Sequence, residues 1–138
     1  PEAIKTADYV IHLAGENVAS GRLTDERKQQ ILLSRTESSH LLKKSLLEIP
    51  NQVQAFVAAT AIGLYGDTGE SWVDETWQAG RGFLADVCVE WEQAVDRLAA
   101  ETKLRTAKIR VGVVLAKEGG ALPQMALPVK LFAGAPLG

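Results

Sequence analysis

Residues 53–66 constrain the fold of this chain more than any other stretch. The first seven, VQAFVAA, are almost wholly apolar, which is typical of a strand covered on both faces and therefore of a parallel sheet. The next seven, TAIGLYG, place a hydroxyl, a phenol and small residues directly after that strand. Because open parallel sheets bind ligands beyond the carboxyl ends of their strands, we expect residues 60–66 to form the floor of an active site.

Length and composition fit one globular domain, with 138 residues of which 46% are hydrophobic and 23% charged. The net charge of -2 and the scattered Lys and Arg residues argue against nucleic acid or a membrane as a partner, because both need a concentrated basic surface. Cys88 is the single cysteine, so no internal disulfide forms. With no signal peptide and no long apolar run, we expect a soluble, cytoplasmic protein.

The two ends of the chain suggest an internal piece of a longer protein. The sequence begins PEAIKTAD without Met, and we expect it to enter a strand at once; it ends on AGAPLG without a charged tail. We therefore treat residues 1–138 as a single partial domain. The apolar, proline-containing residues 117–138 are expected to begin a substrate-binding portion.

Periodicity predicts three strands joined by two helices. Apolar runs predict strands at residues 8–14, 53–59 and from 104 to about 112. Apolar residues at helical spacing predict a helix over residues 25–48, with Thr24 as its N-cap. A second helix is predicted from Phe83 to near Lys103.

Several conspicuous residues have an ordinary structural interpretation, which we favour. A lone histidine in an apolar strand, His12, is expected to be a core residue bonded to backbone. Cys88 lies in a helical apolar pattern and is expected to be buried filler. The two histidines and one cysteine give no ligand cluster, so we predict no metal site.

Other residues have two interpretations. The long acidic loop at residues 67–82 is typical of a lid or binding loop. Its Trp72 and Trp77 either pack the loop down or face a substrate, and we favour packing. Glu16 follows the Leu-Ala-Gly turn and Glu92 follows Trp91, so either carboxylate is a candidate to point into a site. Surface carboxylates are the commoner case, and we expect both at the surface.

Four stretches stand in order along the chain: VIHLAG at residues 10–15, ATAIGLYG at 59–66, residues 83–92, and IRVGVVL at 109–115 followed by Gly119 and Gly120. Together they resemble the extended and atypical short-chain dehydrogenase/reductases, most closely the sugar-nucleotide epimerase-like or cell-division-inhibitor-like branch. The resemblance covers essentially the whole chain. It implies an α/β fold: a partial Rossmann-like, doubly wound parallel sheet, the later half of a dinucleotide-binding fold without its N-terminal Gly-rich loop.

The same resemblance implies a nicotinamide cofactor, NAD or NADP, lying across the strand ends. It implies that the ribose side of the cofactor is lined by Leu13, Ala14 and Gly15. It also implies that Ala58 and Ala59 lie beneath the nicotinamide, and that the carboxamide lies near Arg110, Val111 and Gly112.

Catalysis in this superfamily is expected to use a tyrosine with a lysine four residues later. Phe83 and Val87 stand at those positions, so the pair is missing. The remaining catalytic candidates are Thr60, whose role a strict alignment gives instead to Ala61, and Tyr65, which is otherwise a packing residue.

These residues leave three functions open. The first is an NAD(P)-dependent oxidoreductase or epimerase-like enzyme acting on a small polar or nucleotide-sugar substrate. The second is a cofactor-binding pseudo-enzyme with a regulatory or interaction role, and the third a flavodoxin-like domain without nicotinamide. A small-molecule substrate is the expected partner, and no pattern in the sequence indicates an oligomeric state.

Overall fold

The computed structural model describes residues 2–116 and 118–134. Helices and strands alternate along most of the chain, which confirms the predicted α/β class. The elements are α1 (Glu2–Thr6), β1 (Tyr9–His12), α2 (Asp25–Glu48), β2 (Ala55–Ala61), a 3-10 helix (Ile62–Tyr65), α3 (Phe83–Thr102), β3 (Arg105–Val111), β4 (Leu115–Ala116), β5 (Gly119–Gly120) and α4 (Leu122–Lys130).

The main sheet consists of three parallel strands in the order β1-β2-β3. His12 at the end of β1 pairs with Ala58, and Thr60 near the end of β2 pairs with Arg110 of β3. Because the strands are parallel and in register, their carboxyl ends meet at one edge of the sheet. The residues that follow β1, β2 and β3 therefore share that edge.

Helices α2 and α3 cover the same face of this sheet. Successive crossovers of one hand that add strands in one direction place their helices on one side. Alternate residues of β2 are buried under them, and Lys43 of α2 reaches Glu101 of α3 at 2.8 Å. The core between sheet and helices consists of Leu46, Val53, Phe56, Ala58, Trp91, Val95 and Leu98.

The other face of the sheet carries apolar side chains that no described element covers. Tyr9, Ile11 and Ile109 point to this face and are 65%, 66% and 53% exposed. The expectation of a strand covered on both faces is therefore met on one face only within residues 2–116 and 118–134. An apolar surface of this kind ordinarily marks a contact with further protein.

Helix α2 begins and ends where its sequence predicts. The hydroxyl of Thr24 accepts a hydrogen bond from the amide of Arg27 at 3.2 Å, which confirms the N-cap. Its inward face contains hydroxyl residues as well as apolar ones: Thr36 and Ser39 are buried, and each donates to the carbonyl four residues earlier, at 3.2 and 2.8 Å. These bonds satisfy the hydroxyls without a partner outside the helix.

His12 is a buried core residue, as predicted, but its bond is to a side chain and not to backbone. Its Nε2 lies 3.0 Å from the Ser38 hydroxyl, which itself donates to the carbonyl of Ser34 at 2.7 Å. The hydroxyl proton is thereby used, so His12 Nε2 donates to the Ser38 oxygen. Burial lowers the pKa of His12, which keeps the imidazole neutral near pH 7.

Two helices were not expected from the sequence. The chain does not enter a strand at once, because residues 2–6 form α1, in which Lys5 pairs with Glu2 at 3.0 Å. Helix α4 has Pro123 in its first turn, where no amide donor is needed. It packs with the β4–β5 hairpin.

Two further predictions are left open by the described residues. The substrate-binding role expected of residues 117–138 stays a prediction, and residues 117 and 135–138 lie outside the described part. Among the residues that the structure describes, no helix combines the length and apolar character needed to cross a bilayer. The cytoplasmic location stays a prediction.

The uncovered sheet face predicts that the 138-residue chain, purified by itself, binds a hydrophobic dye such as ANS. Ile11 and Ile109 contribute much of that face, so Ile11→Thr combined with Ile109→Thr should lower dye fluorescence while keeping β-branched residues in the strands. Leu47→Thr on exposed helix surface serves as the control. Equal dye fluorescence in all three proteins would contradict this role of the face.

Candidate functional site

A cleft of about 820 Å³ lies at the carboxyl ends of β2 and β3. The 3-10 helix, the end of β3 and the loop at residues 67–82 all contribute lining residues. The lining residues are Ile62, Tyr65, Gly66, Thr68, Val73, Asp74, Glu75, Lys108, Ile109 and Arg110. Part of the stretch expected to form the site floor thus lines a cleft at the expected edge of the sheet.

An ion pair with a buried carboxylate adjoins this cleft. Both carboxylate oxygens of Glu92 accept from the Arg110 guanidinium, with Nε to Oε1 and Nη2 to Oε2 each at 2.9 Å. The hydroxyl of Thr60 donates to the same Oε1 at 3.0 Å. Glu92 is only 6% exposed, so the expectation that it lies at the surface is wrong: α3 packs this position against β2 and β3.

The charges of this pair are mutually stabilising. Burial opposes ionisation of Glu92, but the hydrogen bonds from Arg110 and Thr60 outweigh it, so the pKa of Glu92 lies below its ordinary value. The hydrogen bonds to Glu92 raise the pKa of Arg110 above its ordinary value. Both groups are therefore charged at neutral pH, and the bidentate geometry fixes the plane of the guanidinium.

Arg110 joins this pair to the cleft. Its Nη1 donates to the phenol oxygen of Tyr65 at 3.0 Å and to the carbonyl of Glu75 at 3.1 Å. Tyr65 is largely buried, and its ring lies 5.3 Å from the guanidinium carbon. Tyr65 therefore packs the turn and also presents its oxygen at the cleft. Its own O–H donates to no acceptor among the described residues.

The loop at residues 67–82 leaves and returns at almost the same point. The amide of Gly80 donates to the carbonyl of Leu64 at 2.9 Å, and a Cβ at Gly80 would lie 2.2 Å from the carbonyl oxygen of Tyr65. Only glycine permits this approach. The expectation that both tryptophans pack the loop is wrong for Trp72, which is 97% exposed, while Trp77 is partly exposed.

The structure places the predicted cofactor-binding residues along one edge but in different environments. Leu13, Ala14 and Gly15 follow β1 and are exposed, as are Val111 and Gly112 at the end of β3. Ala58 is buried against the helices and Ala59 is half-buried. Arg110 is engaged in the ion pair that adjoins the cleft. Their contacts with a cofactor stay predictions.

Of the two predicted catalytic residues, only Tyr65 lines the cleft. Thr60 is 2% exposed, and its hydroxyl points into the interior towards Glu92. Phe83 and Val87, at the positions expected for the tyrosine and lysine, are half-buried and buried. Neither side chain carries a proton-transferring group, so Tyr65 is the phenol that the structure offers to the cleft.

Cys88 is buried, as predicted, and burial, with a further contribution from the charge of Glu92, raises the pKa of its thiol. It is therefore inert filler. Among the described residues no group of histidine, cysteine and acidic side chains is suited to hold a metal ion.

Sequence reasoning missed Arg35 and Lys108. Lys108 of β3 binds Asp96 of α3 at 2.7 Å and lies 3.5 Å from Glu92. Arg35 turns inward from α2, with its guanidinium carbon 5.0 Å from the centre of the Trp91 ring. The signal for Arg35 was its position: it continues the helical stripe formed by Ile31, Ser38 and Leu42, where a charged residue is out of pattern.

The ion pair predicts a large difference between two acidic residues of α3. Glu92→Gln leaves the Arg110 charge without its buried partner and should lower the free energy of unfolding by about 3 kcal/mol. Asp96→Asn removes an exposed partner of Lys108 and should cost less than about 1 kcal/mol. Urea unfolding measures both. Equal losses would contradict a structural role specific to Glu92.

The lowered pKa of Glu92 predicts a pH dependence of stability. Below pH 4.5, the ordinary value, the unfolded chain binds a proton at Glu92 before the native chain does. The stabilisation is therefore present above pH 4.5 and is lost as pH falls through the lower native pKa. In urea unfolding at successive pH values from about 5 to 3, Glu92→Gln should lose stability less steeply than wild type. Parallel curves would refute this.

Comparison with known proteins finds similarity to epimerase family proteins, as the sequence motifs predict. No protein-family model matches the chain. An epimerase family protein of Mycobacterium bovis is 37% identical over 138 residues, which is 100% of this chain and 45% of that protein. The chain thus spans about half the length of the curated relatives it matches.

Two solved structures are similar in fold and sequence. The human epimerase family protein SDR39U1, crystallised with NADPH, superposes with a TM-score of 0.80 at 30% identity, covering 96% of this chain and 45% of that one. The nucleoside-diphosphate sugar epimerase of Corynebacterium glutamicum gives a TM-score of 0.73 at 35% identity, covering 96% and 27%. The predicted resemblance is confirmed: over its whole length this chain is similar to epimerase family proteins with a Rossmann-like sheet.

Proposed function

We propose that this chain is part of an NAD(P)-dependent epimerase or related oxidoreductase that acts on a small polar or nucleotide-sugar substrate. The observation that carries the proposal is the Tyr65 phenol, held by Arg110 at the wall of a large cleft at the carboxyl ends of parallel strands. Open α/β sheets bind ligands at this edge. The similarity to a human relative crystallised with NADPH supports the cofactor.

The residues at the strand ends fit a dinucleotide. Leu13, Ala14 and Gly15 form an exposed stretch beyond β1, and Gly112 is exposed beyond β3, so a long ligand has room to cross the edge. Ala59 and Ala61 have small side chains at the end of β2 between them. A bound nicotinamide would accept and return a hydride, while the residues of this chain bind and orient the reactants.

In this proposal Tyr65 is the catalytic residue and Thr60 positions it. The phenol oxygen accepts from Arg110, which leaves its proton to be donated to a substrate oxygen in the cleft. Thr60 acts through the carboxylate of Glu92, which fixes Arg110 and so the phenol. This chain of contacts does not use the tyrosine–lysine pair of the superfamily.

The charges around the cleft suit a substrate rich in hydroxyl groups. Lys108 and Arg110 lie on the β3 side, and Asp74 and Glu75 on the loop side. The hydroxyl and amide of Thr76 donate to Asp74 and lower the pKa of its carboxyl, so this group is an ionised acceptor at neutral pH. A sugar presents donors and acceptors to both sides. The structural relative described as a nucleoside-diphosphate sugar epimerase supports this class.

The proposal predicts that the full-length protein binds NADPH or NADH, and that Tyr65 is needed for turnover but not for cofactor binding. Titration of tryptophan fluorescence measures binding, and absorbance of the reduced cofactor follows its turnover with a panel of nucleotide sugars and small carbonyl compounds. Tyr65→Phe should keep cofactor affinity but lower the turnover rate by about 100-fold or more. Tyr9→Phe, on the opposite face of the sheet, should behave as wild type.

Three outcomes would change this conclusion. Failure of both nucleotides to bind would overturn the function as a whole. Binding without turnover of any compound in the panel would favour the cofactor-binding pseudo-enzyme, which the missing lysine at Val87 already suggests. Full turnover by Tyr65→Phe would show that another group transfers the proton.

A further inference from the structure

Arg35 occupies an unusual position between the sheet edge and the helix layer. Its guanidinium lies over the Trp91 ring at 5.0 Å from the ring centre. It also meets Gly15, where a Cβ would stand 3.0 Å from Cζ and 3.2 Å from Nη2. The planar group therefore lies close both to the indole of α3 and to the backbone that follows β1.

Only one nitrogen of this guanidinium, Nη1, donates a hydrogen bond to a described residue. Nη1 donates to the carbonyl of Ile31 at 2.9 Å and lies 3.4 Å from the Ser34 hydroxyl. Among the described residues, Nε and Nη2 have no hydrogen-bond acceptor. Burial lowers the pKa of Arg35, but a guanidinium stays charged in proteins. A partly buried cation with an unpaired donor edge favours an added acceptor.

No carboxylate among the described residues forms an ion pair with this cation. Glu16, whose charge acts on Arg35 and favours its charged form, is itself paired with Arg27 at 3.0 Å. Glu92 is paired with Arg110. Arg35 thus differs from Arg110, whose donors are used by protein groups, and from Arg27, whose charge is matched.

The unpaired nitrogens lie beside the backbone that follows β1. A Cβ at Gly15 would stand 3.2 Å from Nη2 and 3.3 Å from Nε. Arg35 is therefore placed at the carboxyl end of a parallel strand. A crevice at that place is where open α/β sheets receive nucleotides.

We propose that Arg35 binds a phosphate group of a nucleotide ligand in this crevice, through Nε and Nη2. The inference rests on the proposed function, and it adds to it a phosphate-binding residue separate from the Tyr65 cleft. A planar guanidinium matches two phosphate oxygens at once. The phosphate belongs either to the dinucleotide or to a nucleotide-sugar substrate, and separate titrations tell these apart.

The absence of a side chain at Gly15 leaves room for the Arg35 guanidinium in its observed position. Its backbone does not lie in the left-handed region, so alanine is conformationally acceptable there. A methyl group at residue 15 would instead require the end of the flexible Arg35 side chain to shift by a few tenths of an ångström. Gly15→Ala therefore changes the position of the guanidinium slightly while keeping every charged group of the protein.

The experiment measures the affinity of the full-length protein for NADPH and, separately, for UDP by isothermal titration calorimetry. Arg35→Ala should weaken binding of at least one of them by about 10- to 100-fold, as expected for a lost charge-assisted contact. Gly15→Ala should weaken the same ligand, and Arg35→Lys should retain part of the affinity because it keeps the charge. Arg97→Ala, an exposed arginine of α3, is the control.

Each result has a defined meaning. Loss confined to NADPH assigns the cofactor phosphate, and loss confined to UDP assigns the substrate phosphate. Wild-type affinity for both ligands in Arg35→Ala and Gly15→Ala overturns the inference while leaving the proposed function intact. If wild type binds none of NADPH, NADH and UDP, the proposed function fails and the inference with it. Circular dichroism melts check folding, and Gly15→Ala serves as the test if Arg35→Ala unfolds.

Discussion

The geometry of the site depends on one carboxylate that has been removed from water. An isolated buried charge is strongly unfavourable, so Glu92 is tolerable only because Arg110 neutralises it and Thr60 supplies a further hydrogen bond. That requirement ties α3 to β2 and β3 at a single point. It also leaves the remaining donors of Arg110 in one orientation, which sets both the Tyr65 phenol and the loop backbone at Glu75.

The two faces of the sheet differ in the side chains that they carry. The face under α2 and α3 carries the packed core and, near the strand ends, the polar groups Arg35, Thr60 and Glu92. The opposite face carries apolar side chains such as Tyr9 and Ile11, which remain exposed among the described residues. Relatives of about twice the length contain further chain, and doubly wound folds place helices on both faces of the sheet. The exposed face is thus consistent with a sheet that is built for two layers.

Sequence periodicity was sufficient to predict the main helices and strands, but not the charged side chains that lie between them. Helix α2 was predicted at its observed bounds because capping and the apolar stripe are local properties. Glu92 and Arg35 were not assigned inward positions because a charged residue on a helix is ordinarily solvated, and only pairing across the fold reverses that preference. Trp72 was expected to pack because its size favours burial, but the loop turns it outward. The resemblance of ordered motifs predicted the edge of the sheet at which the cleft lies, whereas the hydrogen-bonded path from Thr60 to Tyr65 depends on the register of β2 and β3, which the sequence does not specify.

The contact between Gly80 and the backbone at Tyr65 and Gly66 has a consequence for how such proteins diversify. Because residues 66 and 80 touch, the intervening segment forms a closed excursion whose ends stay fixed whatever its interior contains. Lengthening a closed loop costs little, since the entropy rises only with the logarithm of its length. Insertions and substitutions between these two glycines can therefore reshape the rim of the cleft while the strand ends beneath it keep their positions.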